Sequence, residues 1–332
     1  MKVACFSTKS YDRESFDLIL PKHAHDFTYF EAKLDKHTVS LAKGFDAICT
    51  FVNDHLDASV LKKLNTLGVK NIVLRCAGYN QVDLEKADEL GFKICRVPAY
   101  SPEAVAEHAF AMILTLSRKT HKAYNRIRDN NYSLEGLAGF NLNGKTVGII
   151  GTGAIGHAFI KIALGFGCKV LAYDLIEDKS LKTLGVEYLT LDELLSQSQI
   201  ISLHCPLTPG TKHLVNASTI EQMPDGVMLI NTSRGALIET KSVIKALESR
   251  KIGYLGIDVY EQEEDLFFKN LSEEILMDEQ IARLMTFPNV LITGHQAFLT
   301  KEALAEIAKT TLQNLDAIAS GANLVNAIKY SY

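Results

Sequence analysis

The chain has 332 residues, a length that points to two domains at roughly 100–200 residues each. A hydrophobic fraction of 47% with 22% charged residues excludes a disordered chain. Lys+Arg 35 against Asp+Glu 39 leaves a formal net charge of −4. That balance argues against nonspecific nucleic-acid or anionic-membrane binding, but leaves room for a local cationic pocket.

The N-terminus reads as a short strand, Lys2–Phe6, followed by a charged helix. It lacks the apolar stretch of a secretory signal. The densest apolar run, His108–Leu116, is flanked by Glu107 and Arg118 and is too short to span a membrane. A soluble cytoplasmic protein with no membrane partner is therefore expected. Six cysteines are scattered singly, mostly inside apolar strand-like runs, which favours buried reduced thiols over disulfides or metal ligands. The pair His23 and His25 reads as surface loop, so no metal is expected.

Short β-branched runs alternate with amphipathic stretches, the βαβα pattern of a parallel sheet. Strands are predicted over Lys2–Phe6, Phe27–Phe30, Ala47–Phe51, Asn71–Arg75 and Lys93–Val97, with helices between, for instance Asp57–Leu67 and Asp83–Leu90. Ser101-Pro102-Glu103 then opens a long helix to about Lys119, with Ser at the N-cap and Pro at N1. Residues 120–143 are polar and irregular, either a surface excursion or an arm that reaches a partner subunit. A second set begins at Lys145, with strands at Thr146–Ile150, Lys169–Tyr173, Ile200–Leu203, Val227–Asn231, Tyr254–Val259 and Val290–Thr293. Six strands with intervening helices satisfy a doubly wound dinucleotide fold. A last helix, Lys301–Ile318, is expected to return to the first domain. The predicted fold is α/β, with two Rossmann/flavodoxin-like parallel-sheet domains and a cleft between them. Residues 1–100 with 298–332 would form one discontinuous domain, and 101–297 the dinucleotide-fold domain.

Residues 146–156 read TVGIIGTGAIG, placing G-x-G-x-x-G directly after a strand and at the start of a helix. Gly151 permits the tight turn, Gly153 lets backbone approach a pyrophosphate, and Gly156 allows close helix–strand packing. The helix N-terminus favours an anion there. The next strand ends in Asp174, 18 positions past Gly156; its carboxylate can accept from ribose hydroxyls and repel a 2′-phosphate, which selects NAD over NADP.

Ligands of open α/β sheets bind outside the carboxyl ends of the strands. Three later strands deliver an Arg (Arg234), acids (Asp258, Glu261, Glu263) and a His (His295) to that rim. Arg234 can hold a carboxylate by two parallel N–H bonds and polarise the adjacent carbonyl. His295 can donate a proton to the carbonyl oxygen as hydride arrives. A carboxylate on its second ring nitrogen would favour imidazolium and raise the His pKa. The set suits hydride transfer to a 2-keto acid.

With these residues in view, the chain resembles the D-isomer-specific 2-hydroxyacid dehydrogenases, closest to the fermentative D-lactate dehydrogenases of bacteria. Further stretches carry the likeness: FVND from Phe51, LRCAGYN from Leu74, RVPAYSPEAVAEH from Arg96, SLHCPLTP from Ser202, NTSRGALI from Asn231, GIDVYE from Gly256 and GHQAFLT from Gly294. The resemblance implies that Arg234 binds the substrate, His295 is the acid/base and Glu263, within DVYEQE, is the acid paired with it. It implies a cofactor groove of Gly151, Gly153, Ala154, Ile155, Gly156, Asp174, Cys205, Pro206, Thr211, Thr232 and Ser233, with Asp258 on the nicotinamide side. It implies that backbone N–H groups in the Cys76-Ala77-Gly78 turn take the substrate carboxylate. Tyr100 and Phe298 would close a small apolar pocket suited to the methyl of pyruvate.

The expected activity is therefore NADH-dependent reduction of pyruvate to D-lactate by a homo-oligomer, with a tetramer implied. Alternatives are a dehydrogenase for hydroxypyruvate, glycerate or a longer 2-keto acid, or an NAD-sensing corepressor, which would be expected to carry extended tails. A phosphorylated substrate would want added cations in the Leu74–Tyr79 loop, where the sequence offers only Arg75.

Overall fold

In the computed structural model, which describes residues 1–328 apart from the Asp265 side chain, the chain divides into two compact units. One comprises Met1–Ser101 and the segment from Phe298 onward; the other is Pro102–Ala297.

The first unit holds five parallel strands: β1 Lys2–Cys5, β2 Asp26–Tyr29, β3 Ala47–Thr50, β4 Asn71–Leu74 and β5 Lys93–Arg96, in the order β2-β1-β3-β4-β5. That is the flavodoxin-like order. β3 is buried at every position, as a parallel strand covered on both faces must be. The helix Lys301–Ser320 packs Ala308, Leu312, Leu315 and Ile318 with Val3, Cys5, Cys49, Val73 and Cys95. Thr300 caps it by accepting from the Ala303 N–H at 3.2 Å, and Gly321, at φ 69°, ends it in a left-handed turn. His23 and His25, expected in a free surface loop, are tied down instead. Both rings bond Asp316 of that helix, at 2.7 and 2.9 Å, and the His25 side chain is only 2% exposed.

The second unit holds β6 Thr146–Ile150, β7 Lys169–Tyr173, β8 Glu187–Tyr188, β9 Ile200–Leu203, β10 Val227–Asn231, β11 Ile252–Ile257 and β12 Val290–Ile292, in the order β12-β11-β10-β9-β6-β7-β8. The sheet thus has seven strands where the sequence predicted six. The extra one, β8, is two residues long and part polar, too short to leave a periodic signal. The strand order reverses between β6 and β9, the switch point where such sheets bind ligands.

One predicted irregular stretch contains a helix, Thr120–Arg128. It follows Lys119, which sits at φ 53°, and none of its residues is buried, so its few apolar residues pack on no core. Beyond it Arg126 donates to the carbonyls of Glu135 at 2.7 Å and Ser133 at 3.3 Å, which ties the following segment into a loop. All six cysteines are free and buried. Among the described residues no helix is long and apolar enough to cross a membrane, and no group of three His, Cys, Asp or Glu is placed to hold a metal ion.

Candidate active site

The second sheet is in register at its carboxyl rim. Ile150 pairs with Tyr173 and Leu203, Leu203 with Asn231, Asn231 with Ile257, and Ile257 with Ile292. The residues one step further, Gly151, Asp174, His204, Thr232, Asp258 and Thr293, therefore line one edge of the sheet.

At the switch point Gly151 has φ 98°, and a Cβ there would lie 2.6 Å from the Cys205 nitrogen. A Cβ on Gly156 would lie 2.0 Å from the Gly151 carbonyl oxygen. Gly153, by contrast, is exposed and has nothing within 4 Å of such a Cβ, and it is the N-cap of helix Ala154–Gly165. Two glycines are thus demanded by packing, while the third keeps the helix N-terminus, with Ala154 and Ile155, open to an anion.

Asp174 accepts from the Thr152 N–H at 2.6 Å and its hydroxyl at 3.0 Å. Burial works to raise its pKa, but these bonds and the Ile176 N–H outweigh it and hold the carboxyl below the usual range. Leu175 and Ile176, 91% and 82% exposed, follow it. Sequence reasoning passed over both, an apolar pair directly after the acid that follows β7.

Across the groove, Ser233 donates to the Cys205 carbonyl at 2.7 Å and Thr211 to that of Pro206 at 2.7 Å, fixing the loops that carry them. Burial pushes the Cys205 thiol up to about 11, so it is neutral. The buried Thr232 hydroxyl has no partner. Orphan polar atoms of this kind call for a ligand or a water, and this one lies on the same rim as the glycine loop, two strands away. The donor set, the open helix end and the acid together fit a dinucleotide.

Arg234 follows β10 by three residues. Its guanidinium donates to the Ser233 carbonyl at 2.7 Å and, among the described residues, to nothing else. Its main chain is held from below by Asn231, wholly buried, which donates to the Arg234 carbonyl at 2.8 Å and accepts from the Ser233 N–H at 3.0 Å. A Cβ on Gly235 would lie 2.1 Å from the Tyr260 carbonyl, so glycine is required for the arginine loop to lie against the end of β11.

His295, three residues past β12, is held at φ 54° by its N–H on the Asp258 carbonyl at 2.7 Å. Its Nδ1 lies 2.8 Å from Glu263 Oε1, and the ring of Phe268 lies 5.7 Å from the imidazole. Nothing among the described residues hydrogen-bonds Nε2. Geometry also separates the neighbouring acids: Glu261 bonds His213 at 2.6 Å and the Thr240 hydroxyl at 2.9 Å, and so is spent elsewhere.

Asp258 lies on the rim one residue past β11. The carboxylate is wholly buried and accepts from Thr293 at 2.6 Å and from the N–H groups of Gln296 and Ala297 at 2.9 and 2.8 Å; His108 lies 3.5 Å away. These bonds overcome burial and keep its pKa low. These N–H donors tie it to the segment that carries His295. Asn231, Thr293 and His108 were not singled out from sequence, because a buried polar support has no spacing signature.

In the first unit, the N–H groups of Ala77 and Gly78 bond no described residue. The Ala77 carbonyl is turned away to Arg96, which donates to it at 2.7 Å and lies over the Tyr79 ring. Such a turn presents two free donors to an anion. Tyr100 and Phe51 pack on Phe298 with ring centroids 6.3 and 5.7 Å away. Phe51 thus joins Tyr100 and Phe298 in one aromatic cluster, though it was not among the pocket residues expected from the sequence. Arg75 is not a free cation: it is 1% exposed, bonds Asp12 at 3.2 Å and the carbonyls of Phe6 and Ser7, and lies against the Phe51 ring.

The sequence model of the family described as "D-isomer specific 2-hydroxyacid dehydrogenase, NAD binding domain" matches residues 110–297. A "2-hydroxyacid dehydrogenase homolog" of Haemophilus influenzae is 53% identical over 321 residues, covering 97% of each chain. The apo-structure of D-lactate dehydrogenase from Escherichia coli is similar with a TM-score of 0.91 at 49% identity, covering 99% of this chain and 100% of that one. D-lactate dehydrogenase from Aquifex aeolicus, complexed with NAD and lactic acid, has a TM-score of 0.88 at 35% identity, with 99% and 100% covered.

Proposed function

The chain belongs to the D-isomer specific 2-hydroxyacid dehydrogenase family, an NAD-dependent oxidoreductase family, and we propose from that premise the roles its residues play in reducing pyruvate to D-lactate. The observation that carries the reading is the hydrogen-bonded pair of Glu263 and His295 at the same sheet rim as Arg234 and the glycine loop.

NAD would be held by Gly151, Gly153, Ala154, Ile155 and Gly156 at the helix end, by Asp174 at the ribose, and by the Cys205–Pro206, Thr211 and Thr232–Ser233 loops. Bound there as NADH, it supplies the hydride. Arg234 binds the substrate carboxylate with its unused guanidinium N–H groups and polarises the neighbouring carbonyl. His295 carries the transferable proton on Nε2 and gives it to the carbonyl oxygen, which becomes the hydroxyl of lactate. Glu263 fixes the ring through Nδ1 and compensates the imidazolium charge. From the first unit, Ala77 and Gly78 donate N–H groups to the carboxylate. Phe51, Tyr100 and Phe298 provide an aromatic wall for a methyl group. The burial of Arg75 removes the cation that a phosphorylated substrate would have needed in that loop, which favours pyruvate over such substrates.

We take the protein to be a cytoplasmic homo-oligomer, in a tetramer. The exposed Tyr124, Ile127, Tyr132 and Leu134 on the 120–143 segment support a partner subunit there, and six free cysteines support a reducing compartment. NADH oxidation measured in parallel with pyruvate, 2-ketobutyrate, phenylpyruvate and hydroxypyruvate tests the substrate. Pyruvate is expected to give the highest kcat/KM; a preference for hydroxypyruvate or phenylpyruvate, or no turnover with any of the four, overturns the reading.

A further inference from the structure

One short turn supplies two contacts to the His295 ring. The turn begins at Glu263, whose carbonyl accepts from the N–H groups of Leu266 at 3.0 Å and Phe267 at 2.8 Å. Its start is anchored by Glu263 Oε2, which accepts from the Tyr260 N–H at 2.8 Å, and Tyr260 is itself buried with its hydroxyl on Asp278. Glu263 Oε1 then meets His295 Nδ1, and five residues on, Phe268 brings its ring to 5.7 Å from the imidazole at an interplanar angle of 39°. Phe268 holds φ 64°, a left-handed conformation that a bulky side chain adopts only where its surroundings impose it.

A single hydrogen bond at Nδ1 fixes one point of the imidazole and leaves the ring free to rock about the Nδ1–Oε1 line. Rocking swings Nε2, the atom that must meet the substrate oxygen. A second contact, on the body of the ring, removes that freedom, and an aromatic side chain does so without competing for the nitrogen's proton. We infer that Phe268 is a positioning residue for the acid/base histidine, acting with Glu263 from one turn to aim Nε2 and to exclude water from that side of the ring. This rests on the reading of His295 as the acid/base.

The test is steady-state kinetics of the full-length enzyme with pyruvate and NADH, with NADH affinity measured by fluorescence, for Phe268→Ala, Phe268→Leu and His295→Gln. Phe268→Ala is expected to lower kcat at least tenfold while KM for pyruvate and the Kd for NADH change by less than threefold. Phe268→Leu, which restores apolar bulk, should recover most of kcat. A kcat within twofold of the parent in the alanine variant overturns the inference. So does a loss expressed only in KM, which would make the ring a wall of the substrate pocket, or a leucine variant no better than alanine. Undiminished turnover in His295→Gln overturns the acid/base reading itself, so the two failures are told apart.

Discussion

The side-chain amide of Asn231 donates to the carbonyl of Arg234 over 2.8 Å, hanging the proposed substrate arginine from the buried end of a central strand. The same amide accepts from the Ser233 N–H at 3.0 Å, so one side chain shapes the whole loop. Asn231→Ala should raise KM for pyruvate about tenfold, since two buried hydrogen bonds worth about 1 kcal/mol each are lost where the guanidinium must be aimed. Asn231→Asp keeps the acceptor for Ser233 and loses the donor to Arg234. It should show most of the same defect in steady-state assays; KM values at the parent level in both variants would exclude the tether.

Glu261 and Glu263 stand two residues apart and face different histidines, His213 at 2.6 Å and His295 at 2.8 Å. Glu263→Gln should reduce kcat by about 10- to 100-fold, less than the roughly 10²–10⁴-fold of a general acid–base group itself, because Glu263 acts through His295. Glu261→Gln should leave kcat within about twofold and instead cost about 1–3 kcal/mol of stability, because it breaks a partly buried pair that also accepts from Thr240. Parallel measurements of kcat and urea midpoint would separate them, and a reversed pattern would reassign the acid.

These two acids also mark what the sequence could and could not deliver. The glycine loop, Asp174 and the rim positions of Arg234 and His295 were legible because each is pinned to a strand end, and strand ends follow from short β-branched runs. The choice of Glu263 rested on resemblance, since DVYEQE offers several acids at near-equal spacing and only the turn geometry distinguishes them. Asp258 carries a second task that spacing does not reveal: buried at the rim, it accepts from Thr293, Gln296 and Ala297 and so supports residues 293–297. β8 and helix Thr120–Arg128 were not legible, because β8 is two residues long and the helix packs its few apolar residues on no core.

The carboxyl of Asp174 should set cofactor choice. A 2′-phosphate placed at its position would meet a carboxylate held ionised by Thr152 and Ile176, and repulsion between like charges in a partly buried groove is worth several-fold in affinity per contact. Asp174→Ser should raise kcat/KM for NADPH by about tenfold or more and lower it for NADH, narrowing the ratio from both sides. The check is the ratio of the two specificity constants at fixed pyruvate; an unchanged ratio would place the adenosine ribose elsewhere.

His204 provides a pH test that is independent of catalysis. Its ring packs on Phe159 with centroids 4.8 Å apart, its Nε2 lies 2.9 Å from the Ser202 hydroxyl, and its Nδ1 is buried without a partner. Burial pushes its pKa down to about 3 from an ordinary 6.5. Between those values the unfolded chain binds a proton that the folded chain refuses, so stability rises with pH through the window and is lost as pH falls below 6.5. From pH 7 to pH 5 the loss from this one residue is about 2 kcal/mol, since each unit of full proton difference is worth about 1.4 kcal/mol. Other groups with shifted values, among them the buried Asp54, are common to parent and variant and cancel in the comparison. His204→Gln removes the titrating group, so the difference in unfolding free energy between variant and parent should shift by about 2 kcal/mol across that interval in favour of the variant at pH 5. Urea unfolding at pH 7, 6 and 5 measures it; a difference that stays constant with pH would mean that the folded protein admits the proton, and that water reaches Nδ1 behind the glycine loop.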